Sequence, residues 1–286
     1  MDKELKKKLL SCFLASVFTF GCCFLFEGKS VVTQGEVQTG KILPIITYYN
    51  VTNEQKDNTV SFSQLQKDLD FIKEKGYNAV VAEDVLNYAR GISDLPENPI
   101  FITFDGGYKS VITTVYPLLE KYNIKATVNI IGEYTDLYSQ SVKDDTENAR
   151  LSWDDVKFLH FSDLVEIGNQ SYAFYGENKK DKRKGANIKK NEDFLSYKKV
   201  LTDDVLTLQQ KLAENIYKSA SVFAYPHGFY SVESEKILKG LGFDMTLTDD
   251  EGINYISKDK SSLFKLKRFK RVGSIGSKEF FAKIEE

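Results

Sequence analysis

The chain has few of the residues that most hydrolytic and metal chemistry draws on. It holds 2 histidines, His160 and His227, in 286 residues. Its 3 cysteines, Cys12, Cys22 and Cys23, all precede residue 24, so the later part has neither a disulfide framework nor Cys-ligated zinc. With 5 prolines and 18 glycines, collagen-like and low-complexity structure are excluded. Charge of one sign is also lacking. The 39 basic and 41 acidic residues leave a net charge of -2, which argues against a polybasic nucleic-acid binder and against a highly charged disordered chain. What remains is 42% hydrophobic and 13% aromatic, enough for a sizeable core.

Residues 1–8 carry Lys3, Lys6, Lys7 and Lys8, and residues 9–26 follow without a charge. A spanning helix needs roughly 17–25 apolar residues. Residues 1–27 therefore read as a transmembrane anchor or a cleaved signal peptide, with the later chain outside the cytoplasm because the lysines precede the run. Gly21-Cys22 leaves lipidation open, although Thr19 and Phe20 fit a lipoprotein cleavage site poorly. Residues 28–40 are small and polar and read as a linker to a domain spanning 41–286.

From residue 41 onward, short apolar runs alternate with helical patterns. Strands are expected at 42–49, 78–82, 99–105, 125–131, 164–171, 221–226, 243–248 and 266–272. Phe62, Leu65, Leu69 and Ile72 give one helical stripe, behind caps at Ser61 or Ser63, and Leu201, Val205, Leu208, Leu212 and Ile216 give another. Strands apolar on both faces and separated by helices predict a parallel sheet. Eight of them fit an α/β fold with a single (β/α) barrel, regular or distorted. An open doubly wound sheet is the alternative. Residues 134–150 and 176–194 read as polar insertions. The lysines of the second insertion suit a solvated loop or contact with an anionic wall polymer.

In a barrel, residues just past the strands face the site. Four places qualify: 103–108 (TFDGGY), 168–175 (GNQSYAFY), 224–228 (AYPHG) and 266–268 (LKR). Here ITFDGGY (102–108), EIGNQSYAFY (166–175) and FAYPHG (223–228) resemble the polysaccharide deacetylase family, the NodB-homology or carbohydrate esterase family 4 domain. LPIITYYN (43–50) is similar to its opening strand and LSWDDVKFL (151–159) to the text before its His motif. The resemblance implies metal-assisted removal of N-acetyl groups from amino sugars, with one Asp as base and an Asp and two His on a divalent metal such as zinc.

Carried over residue by residue, the resemblance puts the catalytic base at Asp105. The metal-ligand positions fall on Gly106, Gln170 and Tyr175, or Phe174 at a shorter spacing, so no metal or other cofactor is expected. No His follows His227 to serve as the family's late acid. Tyr48, Tyr49, Tyr108, Tyr172, Tyr175 and Tyr225 lie near strand ends. Of these, Tyr108, Tyr172, Tyr175 and Tyr225, with Pro226 and His227, are the candidate substrate-binding residues. His160, ending a helix, reads as structural. The expected function is an extracytoplasmic protein, membrane-anchored or secreted, that binds or acts on N-acetylated cell-wall or surface polysaccharide with impaired catalysis. An active deacetylase with a non-standard site and a surface scaffold for protein interaction are the alternatives.

Overall fold

In the computed structural model, residues 40–53, 58–140, 147–174 and 183–285 are described. The expected anchor, most of the linker and Tyr175 lie outside them. Among the described residues no helix is long and apolar enough to cross a membrane.

In chain order the elements are β1 (Lys41–Leu43), β2 (Ile45–Tyr48), β3 (Asn50–Thr52), β4 (Thr59–Ser61), α1 (Phe62–Glu74), β5 (Asn78–Val80), α2 (Ala82–Ala89) and β6 (Pro99–Asp105). Then come α3 (Tyr116–Tyr122), β7 (Ala126–Ile130), α4 (Gly132–Gln140), α5 (Trp153–His160), β8 (Val165–Asn169), α6 (Phe194–Ile216) and β9 (Val222–Ala224). The last are α7 (Val232–Gly240), β10 (Met245–Leu247), β11 (Asn254–Ile256), β12 (Phe269–Lys270) and α8 (Ser277–Glu285).

One 8-stranded sheet runs β10-β9-β8-β7-β6-β2-β12, with β5 also on β6, and its pairings are parallel. Its members are the eight strands expected from the sequence. The sheet curls into a half barrel with helices packed on it, the distorted form of the (β/α) barrel. A single stretch of chain serves both edges. Leu266 bridges Leu247 of β10, and Phe269 pairs with Ile46 of β2.

The pleat sends alternate residues to opposite faces. Ile100, Ile102 and Phe104 of β6 join the larger core cluster, together with Leu65, Leu69 and Ile72 of α1. Phe101 joins a second cluster with Ile45, Ala224 and Leu247. Asp105 therefore shares a face with Phe101 and Thr103, and ends that face at the C-terminal end of the strand.

Local signals account for several boundaries. Ser61, not Ser63, caps α1, and Gln64 completes a capping box. The insertion expected at 134–150 is helical over its first part, because Gly132–Gln140 forms α4. Its sequence, GEYTDLYSQ, has too little apolar periodicity to announce a helix. In the second insertion Arg183 is not a solvated cation. Its guanidinium is buried, pairs with Glu192 at 2.5 Å, and lies over the Phe174 and Tyr197 rings.

Candidate active site

Asp105 is buried at the end of β6, and four nitrogens surround its carboxylate. Asn129 Nδ2 at 2.7 Å and Arg268 Nη1 at 2.9 Å donate to Oδ1. Gln170 Nε2 donates to Oδ2 at 3.1 Å, and Arg268 Nη2 lies 2.9 Å from the same oxygen. A carboxylate offers about four lone-pair sites. Two nitrogens per oxygen fill them.

Each partner is itself held. Gln170 accepts from Gly106 N at 2.8 Å, so both ends of its amide are engaged. Asn129, the penultimate residue of β7, pairs with Gly168, where a Cβ would stand 2.0 Å from Asn129 Oδ1. The glycine of the EIGN segment is thus the space in which Asn129 lies. Arg268 is fully buried and also donates through Nε to Thr248 O at 2.7 Å and through Nη2 to Asp249 Oδ1 at 2.6 Å. Burial pulls the Arg268 pKa down, but the charges of Asp105 and Asp249 outweigh it and raise the value above the ordinary one. Asp249 carries the network outward, since Tyr49 donates to it at 3.2 Å.

The turn that follows is shaped by Gly106, at φ +91. Arg150 Nη1 donates to Gly106 O at 2.7 Å, and its guanidinium lies over the Tyr108 ring at 3.6 Å. The loop after β8 is pinned by carboxylate oxygens. Asp204 of α6 accepts from Tyr172 N and Ala173 N, both at 2.8 Å. Burial raises the Asp204 carboxyl to about 6, against the pull of those two bonds.

The structure sorts the expected residues into groups. Asp105, Gly106 and Gln170 are in mutual contact, and Tyr108 is half-buried beside Gly106. His227 is exposed past β9 at φ +54. Tyr225 and Pro226 do not face a mouth. Tyr225 is 0% exposed, stacked on Tyr230 and edge-on to Phe223, and Pro226 is buried next to it. The ring joins the core cluster of Phe223, Ile237 and Phe243 instead. Tyr48 is likewise buried and donates to Asp68. Tyr172 is drawn into the helix layer, donating to Asp136 at 2.8 Å, and burial with that bond lifts its phenol to about 12. Tyr175 lies outside the described residues. His160 ends α5 and packs edge-on against Phe161.

In the sequence the LKR segment stands at a strand end with no role apparent for Arg268, and Asn129, Arg150 and Asp249 lie outside the motifs. A lone Asn inside the apolar run ATVNI was a usable signal for Asn129. Arg268 had none, because its partner lies 163 residues away.

The metal that the resemblance implies does not fit the donors present. Asp105 is already neutralised by a guanidinium, which would repel a divalent cation 3 Å away or less from the same oxygens. Gly106 supplies no side-chain ligand atom, and the Gln170 oxygen is turned to backbone. Among the described residues no group of three or more His, Cys, Asp or Glu side chains converges as metal ligands do.

Residues 93–246 match the family model described as polysaccharide deacetylase. A poly-beta-1,6-N-acetyl-D-glucosamine N-deacetylase of Escherichia coli (strain K12) is 25% identical over 227 residues, which are 73% of this chain and 34% of that protein. The protein of that name from Staphylococcus aureus (strain MSSA476) is 23% identical over 198 residues, 69% of this chain and 63% of that one. The chain thus spans about a third of the first relative's length and under two thirds of the second's. Among solved structures, a de-N-acetylase from Aggregatibacter actinomycetemcomitans superposes with TM-score 0.71 at 22% identity, covering 86% of this chain and 99% of that one. The Streptococcus pyogenes deacetylase PplD in complex with acetate gives TM-score 0.69 at 19% identity, over 87% and 100%. These two likenesses concern the fold.

Proposed function

The chain belongs to the polysaccharide deacetylase family, and from that premise we propose that it binds N-acetylated surface polysaccharide with its hydrolytic activity lost or nearly lost. The observation that carries this reading is the state of Asp105. A base must accept a proton from water in the transition state. Here two nitrogens sit on each oxygen of the carboxylate, and one partner is a buried guanidinium. Accepting a proton would break a pair whose other member is buried and charged.

Amide hydrolysis in this family would draw on a cation to polarise the acetamide and to activate water. The residues around Asp105 offer that cation no seat, so no step is routed through one. The relatives named for poly-beta-1,6-N-acetyl-D-glucosamine support a glycan of N-acetylated amino sugars as the ligand. Half-buried Tyr108 and Tyr49 suit it, since a phenol ring packs on sugar C–H faces and its hydroxyl bonds to sugar hydroxyls. The lysines before residues 9–26 support a location outside the cytoplasm, anchored or secreted.

The test pairs two assays on the purified chain. Incubation with N-acetylglucosamine oligomers, with and without added zinc, should release no acetate above the rate of an Asp105→Asn variant. Titration with the same oligomers should show saturable binding that Tyr108→Ala weakens. Metal-stimulated acetate release abolished by Asp105→Asn would overturn the reading in favour of an active enzyme. Absence of glycan binding would favour a scaffold for proteins.

A further inference from the structure

Gly106 and Arg150 fit one another. A Cβ on Gly106 would stand 2.7 Å from Arg150 Nη1 and 2.9 Å from the Tyr108 ring. The room that a side chain at 106 would enter is filled by a guanidinium. That group lies over two rings, 3.6 Å from the centroid of Tyr108 and 4.9 Å from that of Tyr134. Its position is fixed by the bond from Nη1 to Gly106 O.

Arg150 differs from three buried guanidinium groups elsewhere in the domain. Arg268 meets Asp105 and Asp249, Arg271 meets Asp68, and Arg183 meets Glu192. Among the described residues no carboxylate pairs with Arg150, and its donors beyond the one used on Gly106 have no protein acceptor. It is nonetheless half-buried. A fixed cation that has lost part of its water and gained no counter-charge is costly alone and ready for an anion. Its planar fork matches a carboxylate or phosphate in two-point contact. An acidic side chain at 106 would have quenched it. Glycine leaves the charge available.

We propose that Arg150, backed by Tyr108 and Tyr134, binds an acidic substituent, a carboxylate or a phosphate, on the saccharide that enters this site. The proposal rests on the glycan-binding reading above and adds a charge preference to it. The two rings hold the guanidinium plane and flank the sugar, and the remaining N–H groups take the anion.

The experiment is calorimetric titration of the full chain with three oligosaccharide probes of equal length. One is neutral N-acetylglucosamine oligomer, one carries carboxylates and one carries phosphates. At least one acidic probe should bind about tenfold tighter than the neutral one, or more, as a charged hydrogen-bonded contact warrants. Which acidic probe wins identifies the substituent. Arg150→Gln should erase that preference, so that this variant binds its acidic and neutral probes alike. Arg150→Lys, which keeps the charge but not the fork, should retain part of it. Equal binding of neutral and acidic probes, or a preference that survives Arg150→Gln, would overturn the proposal while leaving the glycan reading intact. Failure of all three probes to bind would remove both.

Discussion

At Asp105 the four surrounding nitrogens make each partner's loss expensive. Replacing Arg268 by Met should cost about 3–5 kcal/mol of unfolding free energy, because the carboxylate is left buried and uncompensated. Urea unfolding of the wild type and variant checks this, and a change under about 1 kcal/mol would mean that water reaches the pair. Gly106 is a second sensitive point. At φ +91 a side chain is strained, and the Cβ would press on Arg150. Gly106→Ala should therefore cost about 1–3 kcal/mol, and Gly106→Asp should not rebuild a metal site without displacing Arg150. Asp105, Gly106 and Gln170 were legible because their motifs are contiguous in the chain. Arg268 was not, since a buried ion pair between distant residues leaves no periodicity. The tyrosines were legible only as a set. Whether a ring just past a strand end stays half-buried, as Tyr108 does, or is fully buried, as Tyr225 is, depends on local bends that composition does not carry.

Two elements position the site and can be tested apart from it. The first is the loop after β8, held through Asp204. Burial lifts its carboxyl to about 6, whereas an unfolded chain titrates such a group near 3.9. The folded state thus binds that proton more tightly. Stability from this group is full below about pH 4 and lost as pH rises through about 6. In urea titrations the wild type should gain on Asp204→Asn as pH falls from 7 to 4.5. A constant difference between the two would place the Asp204 carboxyl in its ordinary range. The second element is β12, which has a buried arginine on either side. Arg268 reaches Asp105, and Arg271 reaches Asp68 at 2.7 Å and the carbonyls of Val272 and Ile275. The strands of the sheet were legible from their apolar runs, and LKRFKRV was legible as a strand by position. That its two arginines are core residues was hidden by their charge, which by itself predicts a surface.

Across the whole molecule, the half barrel gathers the site from strand ends far apart in the chain. Asp105, Asn129, Gln170 and Arg268 come from β6, β7, the end of β8 and the approach to β12. The barrel was predictable from eight apolar runs alternating with helices, and the resemblance named its family. At the strand ends the scaffold presents a carboxylate already matched by arginine. The most direct measurement is the zinc content of the purified chain after dialysis against zinc, beside an Asp105→Asn variant. The account predicts that neither protein retains a stoichiometric ion at this site. One equivalent of zinc held by the wild type and lost from Asp105→Asn would contradict it.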